Sequence, residues 1–274
     1  MNKSKIEWCD MTFNPITGCL RGCDYCYARG IAQRFGGWTL PHGLTLHEPL
    51  DGETGILDMP LEVLRKTGNW QKAPFPYDFT PTFYRYRLNE PTSVKKPQTI
   101  FVGSMTDLFG YWVPDEWIKA VFEACAAAPW HRYLFLTKNP SRHDYTLSYY
   151  LPWNVDYGEL VNSSNMWFGF TAENQTTFDM RCAEQDFYVH PHYNSYVSLE
   201  PLQSEIELDA LGRNYGIGWV IAGAESGNRK GKIIPKHEWI ESIAEQCRAA
   251  NVPLFMKNSL RGLMGDAFVQ ETPW

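Results

Sequence analysis

From residue 98 onward, short apolar runs alternate with longer stretches whose apolar positions recur every three or four residues. "QTIFVGSMTD" (98–107), "RYLFLTKN" (132–139), "MWFGFTAEN" (166–174), "SYVSLEPL" (195–202), "GWVIAGAES" (218–226) and "VPLFMKN" (252–258) each start apolar and end in small or polar residues. That is the pattern of strands buried on both faces of a sheet. Between them, "PDEWIKAVFEACAAA" (114–128) and "PKHEWIESIAEQCRAA" (235–250) place proline at the start, acids in the first turn and an apolar stripe behind, which predicts two helices. A strand about every 23 to 35 residues with a helix between is the mark of right-handed βαβ units in a parallel sheet. A further strand near residues 5–13, a cysteine-rich loop and a helix over 27–35 raise the count to about seven units. The pattern therefore predicts an α/β fold, an open or partial (β/α)6-type TIM barrel with a seventh strand. A doubly wound sheet is the alternative, but no glycine-rich phosphate fingerprint follows any strand. Residues 36–97, rich in Gly, Pro and aromatics, break the rhythm and read as an insertion or lid within a single domain spanning 1–274. In it, the alternating "TFYRYRL" (82–88) reads as an extended edge segment.

In a barrel of this kind the site forms at the C-terminal ends of the strands. Those ends carry Ser104, Thr106 and Asp107; Thr137, Lys138 and Asn139; Thr171, Glu173 and Asn174; Ser198 and Glu200; Glu225, Ser226 and Asn228; and Lys257 and Asn258. Strand ends are polar wherever loops begin, so each residue alone says little, whereas six strands ending alike point to one polar rim.

Charge narrows the partners. The 31 acidic residues outnumber the 25 basic ones, for a net charge of −6, and no basic block occurs. A polyanion is repelled on average, so nucleic acid is disfavoured and small neutral or cationic substrates are favoured. The first residues lack the apolar core of a signal peptide, and no apolar run approaches the ~20 residues of a membrane span, so a cytoplasmic protein without membrane contact is expected. Among seven cysteines, Cys125, Cys182 and Cys247 stand singly in helical patterns and read as buried reduced thiols.

The other notable cysteines lie in "CLRGCDYCYA" (19–28), which places Cys19, Cys23 and Cys26 within eight positions. Thiolates so close together point to zinc or an iron–sulfur centre. Structural zinc normally closes with four ligands in separated pairs, and here Cys9 or His42 would have to complete the set. An iron–sulfur cube on three thiolates instead leaves one iron open for a substrate or cofactor. A CxxxCxxC motif with an aromatic before the last cysteine, placed after the first strand of a β/α barrel, resembles the radical S-adenosylmethionine (SAM) superfamily. "TFNPITGC", "GCDYCYA", "VGSMTDLF", "LTKNPSR", "FGFTAENQ", "YVSLEPL", "VIAGAESG" and "VPLFMKN" are similar, in order, to the blocks of a phage- and bacteria-associated three-cysteine-motif family within it.

The resemblance implies that Cys19, Cys23 and Cys26 hold a [4Fe–4S] cluster whose fourth iron chelates SAM, and that one electron, from a flavodoxin, ferredoxin or other reductase, cleaves SAM to a 5′-deoxyadenosyl radical. Tyr25 matches the aromatic beside the adenine. Ser104 matches the strand position that usually contacts the methionine amine, although "GSMTD" replaces the glycine pair and glutamate found elsewhere in the superfamily. Thr171 and Glu173, with Lys138 on the neighbouring strand end, fall where ribose and carboxylate contacts lie.

The substrate reading rests on aromatics and acids. Trp38, Trp70, Phe83, Tyr84 and Tyr86 of the insertion are candidates to stack on a planar base. Asp107, Glu200, Glu225 and Asn258 are candidates to bind it, since carboxylates accept the donor edge of a guanine-like ring and pair with a protonated amine. The structural alternative is that the rim carboxylates, Glu173 included, form ion pairs with Lys138, Lys257 or Arg229. The resemblance extends to queuine lyases, which implies C–N cleavage of queuine to 7-aminomethyl-7-deazaguanine. Two rivals stand beside it. A photoproduct-lyase-like enzyme acting on a base in DNA or RNA would need a phosphate-tracking groove, with Arg85, Arg87, Lys95 and Lys96 the nearby basic residues. A non-enzymatic zinc-binding module would hold one zinc and no SAM.

Overall fold

Polar groups close the N-terminal hairpin. In the computed structural model, which describes residues 1–36, 55–64, 69–142, 165–185, 194–209, 211–212, 216–227 and 229–274, β1 (Asn2–Lys3) pairs antiparallel with β2 (Met11–Phe13). Ser4 closes the turn: its N–H reaches the Asp10 carbonyl at 2.8 Å and its Oγ accepts from the Ile6 N–H at 2.8 Å. The strand expected over 5–13 is therefore confined to its last three residues, because the turn uses up the rest. A two-residue β3 (Ile16–Thr17) and the cysteine loop lead into α1 (Tyr27–Phe35), the helix expected over 27–35.

The insertion is more ordered than its composition implies. It contributes β4 (Gly55–Leu57), β5 (Glu62–Leu64), β6 (Trp70–Lys72), β7 (Thr82–Tyr84) and the short α2 (Glu90–Ser93). The "TFYRYRL" segment is not an edge. Its first three residues form the middle strand of a β3-β7-β4 sheet, and Arg85–Arg87 then turn as a 3-10 helix. All three residues of β7 are buried, and Phe83 stacks on Trp117 with ring centroids 5.1 Å apart. Burial on both faces, which alternation alone does not reveal, turned an expected edge into a centre. Trp38, His42 and Asn228 lie outside the described residues.

The six apolar runs form β8 (Thr99–Val102), β9 (Arg132–Thr137), β10 (Met166–Thr171), β11 (Asn194–Leu199), β12 (Val220–Ala222) and β13 (Leu254–Met256), with α3 (Asp115–Ala126), α4 (Gln175–Glu184), α5 (His237–Ala249) and the short α6 (Arg261–Met264) among and after them. The main sheet runs β1-β2-β8-β9-β10-β11-β12-β13 and is parallel from β2 onward. Each strand from β9 on lies beside its predecessor. Alternating side chains of these strands face two different cores. Ile100, Val102, Phe135 and Phe168 pack with Trp117, Val121 and Phe122 of α3, and Val197, Leu199, Val220 and Leu254 pack with Ile240, Ile243 and Cys247 of α5. The intervening positions, Phe101, Leu134, Trp167, Tyr196, Trp219 and Phe255, join Trp8 in an aromatic core on the other face. Gly169 makes room there: a Cβ at that position would lie 2.6 Å from the Tyr196 ring. The result is a mixed α/β fold built on a large, mostly parallel sheet, with the C-terminal ends of the seven parallel strands on one side.

Candidate active site

Those ends open into a cavity of about 940 Å³, lined by Ser104 and Asp107 after β8, Thr137 and Lys138 at β9, Thr171 at β10, Ser198 and Glu200 at β11, Glu225 after β12 and Lys257 after β13. Most of the rim read from the sequence lines one space, with Asn139, Glu173, Asn174 and Asn258 standing outside the lining. Cys19, Cys23 and Cys26 line the same cavity.

The cysteine loop is held to the end of β8 by backbone. Gly18 donates its N–H to the Met105 carbonyl at 2.9 Å and accepts at its own carbonyl from Thr106 Oγ1 at 2.6 Å. The Cys19 N–H reaches the Phe79 carbonyl at 3.2 Å, so the insertion braces the loop from the other side. Cys26 caps α1, its Sγ accepting from the Arg29 N–H at 3.4 Å, and the Arg29 side chain returns to the Cys19 carbonyl at 3.2 Å. A thiolate at Cys26 faces the positive end of a helix. The Cys19 thiol is pushed above its ordinary pKa, chiefly by burial and then by Asp107 and its two sister cysteines, so loading a metal centre there releases a proton.

Three thiols on one loop lining one cavity are the donor type that an iron–sulfur cluster takes, and zinc takes the same donors. Among the described residues no three His, Cys, Asp or Glu side chains gather tightly enough for a single metal ion. Cys9 is not a fourth ligand in this arrangement. It lies outside the cavity lining, its Sγ donates to Ser4 Oγ at 3.2 Å, and burial pushes its thiol up to about 11.

Behind the cavity wall a charged network fixes Tyr25. Lys138 Nζ donates to the Tyr25 hydroxyl at 2.7 Å and also to Glu173 Oε1, which accepts from Tyr25 as well. Arg181 on α4 donates to Glu173 Oε2 at 2.9 Å and to the Thr171 carbonyl at 2.7 Å. Burial pushes the Glu173 carboxyl up, but Lys138 and Arg181 outweigh it and hold it at about 2. Burial and the Glu173 charge push the Tyr25 phenol above its ordinary value. Glu173, read from the sequence as a cofactor contact, is instead a 5% exposed anchor behind Tyr25, outside the cavity lining.

The other candidates sort by what they touch. Ser104 Oγ donates to Asn14 Oδ1 at 3.1 Å, and its carbonyl accepts from the Tyr27 hydroxyl at 2.6 Å. Asp107 is 7% exposed; it accepts from Thr137 Oγ1 and from the Lys138 N–H at 3.1 Å, with Arg21 at 3.7 Å. Glu200 pairs with Lys257, and Glu225 takes both arms of Arg229 at 2.6 and 2.7 Å. The expected acidic rim is therefore charge-compensated, and the ion-pair alternative holds at Lys138, Lys257 and Arg229 alike. Asn258 stands outside the lining, its Oδ1 accepting from Arg261 and its N–H donating to Glu7 at 2.5 Å.

Of the aromatic candidates described, only Tyr86 lines the cavity; Phe83 and Tyr84 are core, and Trp70 is exposed on β6. Phe75 and Phe79 line it unforeseen, as does the N-terminal stretch from Met1 to Trp8, and of the basic residues named for a phosphate groove Arg87 lines it while Arg85, Lys95 and Lys96 do not. Nothing periodic distinguishes these residues. Arg181 was the other omission, although the Asn174–Thr177 capping box that starts its helix is readable in "ENQTTF".

Among the described residues no helix is long and apolar enough to cross a membrane. A solved structure of spore photoproduct lyase complexed with dinucleoside spore photoproduct is similar in fold, with a TM-score of 0.52 and 9% sequence identity over 93% of this chain and 79% of that one. No curated protein matches. The family model DUF5131, a protein of unknown function, matches residues 3–262, and the chain belongs to that family.

Proposed function

We propose that the protein is a radical SAM enzyme acting on a nucleobase-like ring. The observation that carries the proposal is the convergence of Cys19, Cys23 and Cys26 on the one cavity that collects the strand ends. Those three thiols would hold a [4Fe–4S] cluster, and Tyr25, Ser104, Lys138 and Thr171 the SAM beside it. When bound, cluster and SAM supply a carbon-centred radical that removes a hydrogen atom from the substrate. The chain's own part is positional. Glu173 and Arg181 lock Lys138 and Tyr25 into the wall, and Phe75, Phe79 and Tyr86 give the cavity an apolar side that excludes water. The fold neighbour is titled a lyase complexed with a dinucleoside photoproduct, which supports a reaction on a base.

Within that class, the finer form of the proposal is cleavage of a C–N bond of queuine with release of 7-aminomethyl-7-deazaguanine, with a small flavin or iron–sulfur protein as electron donor. The aromatic side of the cavity accommodates the ring. A second reading, a base carried on DNA or RNA, is favoured by the pairing of every rim carboxylate, which leaves none free for a protonated amine. Anaerobic protein loaded with iron and sulfide, given SAM and dithionite, is incubated with queuine or with oligonucleotides, and products are followed by mass spectrometry. Deoxyadenosine together with 7-aminomethyl-7-deazaguanine selects the queuine form. Deoxyadenosine with altered oligonucleotide selects the second reading, and no deoxyadenosine with any substrate rejects the enzyme class.

A further inference from the structure

The cavity's charges do not balance on the side of the insertion. Of the carboxylates in its lining, Asp107 has Arg21, Glu200 has Lys257, Glu225 has Arg229 and Glu90 has the amino group of Met1, while Glu7 accepts from the neutral Asn258 N–H and has no cation partner among the described residues. Four lining cations, Lys3, Lys5, Lys72 and Arg87, have no carboxylate partner among the described residues.

Arg87 is held in place for a ligand. Its guanidinium lies 3.9 Å over the Tyr84 ring, Nη1 donates to the Asn14 carbonyl at 2.9 Å and Nε to the Tyr86 hydroxyl at 3.4 Å. Nη2 makes no hydrogen bond among the described residues. A stacked, pre-oriented fork with free N–H groups suits a phosphate better than a mobile lysine does. Lys72 is tied to the same corner. The Tyr84 hydroxyl donates to the Pro74 carbonyl at 3.2 Å, two residues after Lys72. Lys3 pairs with Met11, three residues before Asn14 and thus about 10 Å along the strand. Tyr86, Phe75 and Phe79 stand in the same lining.

We infer that this corner is a phosphate clamp, and that the substrate is a nucleobase that carries phosphate, the base entering the cavity while Arg87 and Lys72, with Lys3 and Lys5, hold the phosphate at its mouth. The inference rests on the nucleobase reading above and chooses a phosphorylated substrate over a free base. The net charge of −6 does not oppose it, because beyond about 8 Å in physiological salt the rest of the surface is screened and the local cations govern.

The test needs no cluster. Calorimetric titration of the purified full chain compares thymidine, thymidine 5′-monophosphate and a ten-nucleotide single strand from 50 to 200 mM salt. Phosphorylated probes are expected to bind at least tenfold tighter than thymidine, the strand with a log–log salt slope of about −2 to −3. Arg87→Gln is expected to weaken them about tenfold and Lys72→Gln severalfold, with Lys119→Gln on α3 as the unchanged control. Because Arg87 also braces Tyr84, a Lys3→Gln/Lys5→Gln/Lys72→Gln variant provides the same loss without touching that packing. Strand binding tighter than the monophosphate names a nucleic acid, and equal binding names a free nucleotide; both uphold the clamp. Equal affinity for thymidine and its monophosphate, or undiminished binding in both the Arg87 and the triple-lysine variants, overturns it. Cys23→Ala must bind the probes as the parent does, so clamp and radical chemistry succeed or fail separately.

Discussion

Burial alone would raise the Glu173 carboxyl, and two cations overturn it. Lys138 and Arg181 hold its folded-state pKa at about 2 against an ordinary 4.5, and with its side chain only 6% exposed the difference amounts to about 3 kcal/mol. A depressed carboxyl contributes its full stability above the unfolded pKa and loses it as pH falls through the folded one, so this share drains away between about pH 4.5 and pH 2. Denaturant melts across that window should show the parent losing stability more steeply than Glu173→Gln. At pH 7 the variant should be less stable by about 3 kcal/mol, because two buried cations lose their shared partner. Equal stability and equal slopes would remove Glu173 from its place as the anchor of Tyr25. The sequence placed Glu173 at a strand end beside Lys138, and it left open whether the carboxylate faced a ligand or an ion pair. What it hid was Arg181, whose approach depends on how α4 packs back on β10.

At the scale of elements, the cysteine loop depends on one close approach. Gly18 sits at φ +91, and a Cβ there would lie 2.3 Å from the Thr80 carbonyl oxygen, whereas Gly22, at φ +76, has nothing within 4 Å. Gly22→Ala should cost only the backbone strain of about 1 to 2 kcal/mol. Gly18→Ala must also push the insertion away from the loop, and should lose several times as much in a thermal melt, together with cluster loading; equal costs would contradict the bracing of the loop by residues 79–81. Helices α3 and α5 and the six parallel strands were legible because proline, first-turn acids and doubly apolar runs are local signals. The β3-β7-β4 sheet was not, because its strands are two or three residues long and come from distant parts of the chain. Only the packing of the folded chain, with Phe83 on Trp117 and Tyr84 buried on the other face, shows that the segment is central.

Across the whole molecule, parallel strands in sequential order place their polar ends on one side, and this is why a list of strand-end residues from the sequence maps onto one cavity. The pairing of its charges was not readable at that level. Net charge averages over a surface on which Arg229 neutralises Glu225 and Lys257 neutralises Glu200, while Arg87 and three lysines have no carboxylate partner among the described residues. The central claim is that Cys19, Cys23 and Cys26 together hold an iron–sulfur cluster that binds SAM. The most direct measurement is iron and sulfide content with electron paramagnetic resonance of the anaerobically loaded, reduced protein, with and without SAM. About four irons per chain and a spectrum shifted by SAM are predicted, lost in Cys19→Ala, Cys23→Ala and Cys26→Ala and kept in Cys9→Ala. One zinc per chain, or a cluster that requires Cys9 and survives loss of Cys23, would contradict the account.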